Sequence, residues 1–323
     1  MSVSLEYLER CAAETGFLIG PLEKVTRLGE LASHIARHSI LGKLLALKGG
    51  TALNLCFGPP RRLSVDLDLN YIGHIEREKM LQDRPHVEAT VEEISNSLGY
   101  RVQRSADAFA GRKFFLIYQS VLGQNDRIEI DLNFIFRVPF AGIEPLQLWQ
   151  PGELDRPNVQ VVGLMELVIG KLLAMLDRGA IRDVWDLAYL TGKTHAVLKE
   201  LSFRTRFIAL SAILDHPLST YHRERLENHI DDRVIAEKLL PLLAGNPDLK
   251  AKTLIQKAWS VVKPFMELTA SEKEYLQRIN EGVLRPEILF PGNPKDSAKF
   301  AVHPAILWKV ANVRAHLKDG KKP

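Results

Sequence analysis

The stretch LKGGTALNLCFGPPRRLSVDLDL, Leu47–Leu69, decides the fold. Gly49 and Gly50 carry no side chain, so the backbone there can approach a phosphate closely, and Thr51 adds a hydroxyl. Ala52, Leu53, Leu55, Cys56 and Phe57 predict a short helix whose first N–H groups favour an anion. Gly58-Pro59-Pro60 ends it, because proline cannot continue a helix. Leu63, Val65, Leu67 and Leu69 then alternate with Ser64, Asp66, Asp68 and Asn70, a period of two that puts the polar groups on one strand face. Adjacent carboxylates repel each other unless cations bridge them, and Mg²⁺ prefers one or two carboxylates together with phosphates. An Asp-x-Asp by itself is more often the wet face of an edge strand. With Gly-Gly-Thr and Arg61-Arg62 just upstream, the stretch reads as a nucleoside triphosphate and metal site.

Downstream, Arg127–Phe136 predicts a strand with Ile128, Ile130, Leu132 and Phe134 on one face and Glu129, Asp131 and Asn133 on the other. Two-metal phosphoryl transfer needs an acid from a strand beside the Asp-x-Asp, and both Asp131 and Glu129 lie on the right face. Strands are also predicted over Tyr100–Arg104 and Arg112–Ser120, and one or two amphipathic helices over Glu76–Gly99. Ser4 to Gly42 has helical spacing with a break between Gly16 and Pro21. Val138–Val162 is rich in Pro, Gly and Gln, and the domain boundary is placed there.

From Leu164 a long helix is predicted, with Met165, Leu167, Val168, Leu172, Leu173, Met175 and Leu176 on its apolar side and Lys171 interrupting it. A lysine in such a place can simply lay its stem along apolar surface. Asp183 and Asp186 follow at a spacing of three, on one face of the next helix, where Asp183 would also suit the helix dipole. Helices continue over Phe207–Leu214, Ala251–Leu268 and Ser271–Glu281, the last with Ser271 as its cap and Glu274 three residues on. Arg204 with Arg206, and Arg223 with Arg225, are the candidate basic contacts for RNA. The expected organisation is a domain over residues 1–155, a helical domain over 156–317 and a disordered tail over 318–323.

Composition sets limits. With 46% hydrophobic residues over 323 positions the chain can bury a large core, and a formal charge of +4 permits an anionic partner without demanding one. Cys11 and Cys56 are the only cysteines, which excludes a disulfide framework and a cysteine-rich zinc site and fits a reducing cytoplasm. His34 and His38 have helical spacing but lack the further ligands zinc requires. No apolar run reaches the ~20 residues of a membrane span, and the first residues lack a signal-peptide core, so a soluble, unexported protein is expected.

Lys48-Gly49-Gly50-Thr51-Ala52-Leu53, followed by Arg62-x-Ser64-x-Asp66-Leu67-Asp68, resembles the signature of the AbiEii/AbiGii toxin family of nucleotidyltransferases. That family includes MenT-type enzymes and belongs to the DNA-polymerase-β-like superfamily. Ile130–Asn133 is similar to the family's acid-bearing strand, and Lys171 with Arg182-Asp183-x-x-Asp186-Leu187 is similar to its second motif. The resemblance spans nearly the whole chain, dense at residues 47–70 and 164–187 and weak at 75–125 and 190–270.

The resemblance implies an α+β class, with a nucleotidyltransferase fold of mixed sheet and helices followed by a mostly helical C-terminal domain. It implies transfer of a nucleoside monophosphate from a nucleoside triphosphate to an acceptor, the 3′ end of tRNA, by a toxin of a type IV toxin–antitoxin pair. Asp66, Asp68 and Asp131 would hold two Mg²⁺ ions, with Mn²⁺ as a substitute. Lys48, Gly49, Gly50, Thr51, Arg62, Ser64 and Lys171 would hold the nucleotide, and Lys171 and Asp186 would join the three metal-holding acids in the catalytic set. The antitoxin would be encoded nearby. Competing expectations are a protein-modifying enzyme, a small-molecule nucleotidyltransferase and a nucleotide sensor without transfer.

Overall fold

The computed structural model describes residues 3–318. The chain opens with α1 (Leu5–Thr15) and α2 (Ile19–Arg37), and a short α3 (Leu41–Leu44) leads into β1 (Leu45–Leu47). The break between the first two helices falls where predicted, because Gly16 takes the left-handed conformation that caps α1. α4 (Gly49–Leu55) and β2 (Asp66–Tyr71) follow, then α5 (Arg77–Ser97). Four further strands are β3 (Arg101–Arg104), β4 (Gly111–Gln119), β5 (Asn125–Asn133) and β6 (Ile143–Gln147), and β7 (Asn158–Val162) closes the sheet. Two helices, α6 (Leu164–Arg178) and α7 (Ile181–Ala188), come next.

The sheet has seven strands in the order β3-β4-β5-β2-β1-β7-β6. It is mixed: β2 runs parallel to β5 and β1 parallel to β7, while the other pairs are antiparallel. Alternation in the strands decides which face is dry. Phe114, Leu116 and Tyr118 of β4 and Ile128, Ile130 and Leu132 of β5 are buried. Leu22, Val25, Leu28, Leu31, Ala32 and Ile35 recur every three or four residues on the buried side of α2. Ala32 and Ile35 of α2 meet Leu67 and Leu69 of β2 and Val159 of β7 around a small void. Covering one face of β2 in this way leaves Asp66 and Asp68 on the other. Glu23, also on α2, is buried and accepts hydrogen bonds from Arg27 and from the Ser120 hydroxyl at 2.6 Å, which ties α2 to the end of β4.

The described chain divides into two compact units, residues 3–163 with 233–248, and residues 164–232 with 249–318. The return of 233–248 to the first unit has a local cause. The Leu63 amide donates to the Leu242 carbonyl at 2.8 Å, Arg62 bridges to Leu243, and the Gly245 amide donates to the Gly16 carbonyl. The second unit is helical throughout its named elements, with helices at Leu201–Ser211, Ala251–Val262, Ala270–Asn280 and Pro304–Lys318 among them. Several sequence-derived ends shift: the helix expected over Phe207–Leu214 runs Leu201–Ser211, and the one expected over Ala251–Leu268 ends at Val262. The helix expected to start at Ser271 is capped instead by Thr269, whose capping box is completed by Glu272. Lys318 closes a helix, and the rest of the expected disordered tail, 319–323, lies outside the described residues.

Candidate active site

In the first unit the two acids of β2 meet the acids of β5 in register: Asp68 lies opposite Asp131 and Asp66 opposite Glu129. The pairing is parallel, so the four carboxylates share the face that α2 leaves uncovered. β4 extends the row from its far side, with Lys113 opposite Asp131. Its ammonium stands 3.7 Å from the Asp131 carboxylate and 3.8 Å from that of Glu129. Burial pushes the Asp131 carboxyl up from its ordinary value, Lys48 pulls it down, Asp68 pushes it up again, and Lys113 pulls it down. The net direction is upward, so the charge on Asp131 is held under tension.

The turn from β1 into α4 presses against these acids. Gly49 has φ +70°, and a Cβ at that position would come within 2.1 Å of the Asp68 Oδ2. Only glycine permits both the conformation and the approach. The Lys48 amide donates to the Asp68 carbonyl at 2.9 Å, which fixes the turn to β2.

Three of the expected nucleotide ligands have other surroundings. The Thr51 side chain is fully buried and its hydroxyl donates to the Asp66 carbonyl, so it braces α4 against the start of β2. Arg62 is buried to 1% exposure, and its Nη1 donates to the Leu63 carbonyl at 2.9 Å. Ser64 is buried just before β2 begins. Lys113 is the residue that sequence reasoning missed. Its place on the wet face follows from the alternation around Phe114 and Leu116, but its position opposite Asp131 depends on strand register.

Asp66, Asp68 and Asp131 offer hard oxygen donors on neighbouring strands of one face, a donor set that suits a divalent cation. In their present rotamers, however, no three Asp, Glu, His or Cys side chains converge on one point among the described residues. Asp68 packs on Gly49, while Asp131 lies beside Lys113. Donor type and register therefore fit the ion, and side-chain rotation is required to close around it. A cavity of about 1100 Å³ elsewhere in this unit, lined by residues such as Tyr7, Glu30, His34 and Gln150, includes none of these acids.

The second unit holds its own charge cluster. The Lys171 ammonium on α6 is 2.8 Å from Asp183 Oδ1 and 2.8 Å from Asp186 Oδ2, both on α7. Arg178 adds a fork onto Asp183, with Nε 2.7 Å from Oδ2. Lys171, Asp183 and Asp186 are all buried. Burial alone would raise the Asp183 carboxyl, but Lys171 and Arg178 outweigh it and hold Asp183 below the usual carboxylate value. The spacing of three on α7 does place both acids toward one partner, and that partner is Lys171.

This architecture is shared with a solved nucleotidyltransferase toxin. MenT4 from Mycobacterium tuberculosis superposes with a TM-score of 0.58 over 90% of this chain and 99% of its own, at 15% identity. The likeness defines the fold as that of a nucleotidyltransferase. A nucleotidyltransferase-like antigenic protein from Paracoccidioides brasiliensis also matches, at 13% identity over 58% of this chain and 92% of its own, but its TM-score of 0.34 carries no argument. No curated protein matches the chain. The profile of the AbiEii nucleotidyl transferase toxins of type IV toxin–antitoxin systems matches residues 31–260, and the chain belongs to this family. It is accordingly a nucleotidyltransferase, and its family brings with it a nucleoside triphosphate substrate, a divalent metal in general and an antitoxin partner. No helix among the described residues is long and apolar enough to cross a membrane.

Proposed function

We propose that the protein transfers a nucleoside monophosphate from a nucleoside triphosphate to the 3′ end of tRNA in the cytoplasm, which would block translation until its antitoxin intervenes. The observation that carries this reading is the in-register pair Asp68 and Asp131, with the Gly49 backbone closed against Asp68. Asp66, Asp68 and Asp131 would hold Mg²⁺, two ions in the full complement. When bound, the metal would supply charge stabilisation for the transferring phosphoryl group and acidify the acceptor hydroxyl. The acceptor oxygen forms a bond to the α-phosphorus, the bond to the bridging oxygen breaks, and pyrophosphate leaves. Asp131, opposite Asp68 on the same sheet face, would take the hydroxyl proton.

The Gly49 backbone lies against Asp68, where it and Gly50 after it would meet the triphosphate, and Lys48 adds positive charge near Asp131. Thr51, Arg62 and Ser64 act by shaping the turn and β2 from beneath. Lys171 becomes available to a phosphate only by leaving Asp183 or Asp186, so in this reading Asp186 tunes how readily the ammonium is released.

The test is to incubate the protein with Mg²⁺, each α-labelled nucleoside triphosphate and total tRNA beside an Asp66→Ala control. Label on RNA that is absent from the control supports the reading and identifies the base. Label on protein alone, or on no macromolecule, overturns the acceptor assignment.

A further inference from the structure

The Ala251–Val262 helix of the second unit has an unusual charge pattern. From Leu249 to Met266 the chain carries four lysines and no acidic residue. Ala251, Leu254, Ile255, Ala258 and Val262 are buried, and the helix packs on α7. The outer face is left to Lys252, Gln256, Lys257, Ser260 and Lys263, all exposed, with Trp259 half-buried among them. Lys250 is set apart from this face by its pairing with Asp232 at 3.7 Å.

Trp259, Gln256, Ser260 and Lys263 line one side of a groove of about 420 Å³ whose other side is His222, Arg223 and Glu224. Arg223 is partly neutralised by Glu227 at 3.0 Å, and Glu224 is the one acid among the lining residues. Lys257 lies on the other flank of the helix, about 160° round from Trp259, where its ammonium sits 5.1 Å from the centre of the Tyr189 ring, which packs on Trp185 with centroids 4.0 Å apart. The other basic pair singled out by sequence is already occupied. Arg204 is held by Glu272 at 2.7 Å and Arg206 by Asp296 at 2.9 Å.

Cations spaced along one face with an aromatic ring between them match a polynucleotide strand, whose phosphates take the charges while a base takes the ring. Lys252 and Lys263 stand about 16 Å apart along the helix, a span that a strand of several nucleotides covers and a mononucleotide does not. We propose that this groove and the helix face leading into it bind a single-stranded RNA segment, with phosphates on Lys252 and Lys263 and one base against Trp259. The proposal rests on the RNA reading of the acceptor and extends it to a docking surface away from the β2 and β5 acids in sequence.

The experiment measures binding of a short fluorescent oligouridylate to the full-length protein across a salt series, without nucleoside triphosphate, so that transfer plays no part. The combined Lys252→Gln and Lys263→Gln variant should bind about tenfold more weakly at low salt and lose about 1.4 from the slope of log affinity against log salt. A control with Lys43→Gln, Lys79→Gln and Lys295→Gln, all exposed elsewhere, should change neither. Trp259→Ala should weaken binding about tenfold with the salt slope intact, and Trp259→Phe should keep most of it, which separates stacking from a folding defect. Absence of binding by the wild type, or equal behaviour of the two lysine variants, would overturn the surface. Equally tight binding of polyglutamate, with the same dependence on Trp259, would overturn RNA as its occupant. If the groove variants lose oligouridylate binding and yet no label ever enters RNA in the transfer assay, the reaction reading fails while the surface stands. If label enters tRNA with an unchanged RNA KM in the lysine variant, the surface fails and the reaction reading stands.

Discussion

Asp68 and Asp131 lie directly opposite each other on the parallel strands β2 and β5, and the second of these carboxyls is pushed upward in proton affinity by burial and by the first. Two like charges on one sheet face are tolerated here at a cost in stability that a bound cation would offset.

The sign of that cost is testable. A folded-state affinity raised above the unfolded value means that the ionised Asp131 destabilises the fold at pH above its folded value, and that this penalty fades as pH falls through it. In buffer containing a chelator at neutral pH, Asp131→Asn should therefore melt a few degrees higher than the wild type. The difference should close toward acid, and nucleotidyl transfer should be lost. A lower melting temperature for the variant would contradict the electrostatic account.

Gly49→Ala should act on the site rather than on the core. The new methyl would overlap the Asp68 carboxylate at the positive φ of residue 49, with a backbone penalty of about 1–2 kcal/mol. Calorimetry should show that modest loss, with a larger fall in kcat and in Mn²⁺ affinity. Wild-type Mn²⁺ binding in this variant would separate Gly49 from the proposed metal ligands.

Thr51→Val removes the hydroxyl that donates to the Asp66 carbonyl and leaves that acceptor buried, for a loss of about 1–2 kcal/mol. Chemical denaturation should report the loss directly. Because the side chain is fully buried, KM for the nucleoside triphosphate should stay within about twofold of the wild type, whereas a direct phosphate ligand would give a change of about tenfold or more.

Lys171→Ala removes the buried counter-charge that Asp183 and Asp186 share, and a loss of about 3–5 kcal/mol is expected. Adding Asp186→Asn should recover part of it in a double-mutant cycle. The Asp183 carboxyl is held below its usual value, so its contribution is present above the unfolded value and is lost as pH falls through the folded one. The stability this cluster supplies should therefore fade as pH falls from the ordinary carboxylate value toward the lower folded one, and the Lys171→Ala variant, which lacks most of it, should unfold at higher pH. Equal acid midpoints would remove Lys171 from the cluster's energetics.

Much of this site was legible in order of residues. Alternation over Leu67 and Leu69 placed Asp66 and Asp68 on the wet face, the glycine pair marked a backbone turn that no side chain could occupy, and the apolar spacing after Leu164 marked the helix carrying Lys171. These features are periodic or local, and a few adjacent residues suffice to determine them. Which partner each charge meets was decided only by tertiary structure. Thr51 faces the Asp66 carbonyl, Lys113 stands beside Asp131, and residues 233–248 return to Arg62 and Leu63, because strand register and long-range backbone pairing join positions far apart in the chain. Lys171 shows the division most plainly: its place on a helix follows from spacing, but its two carboxylates follow from the angle at which α7 packs against α6, which no single helix encodes.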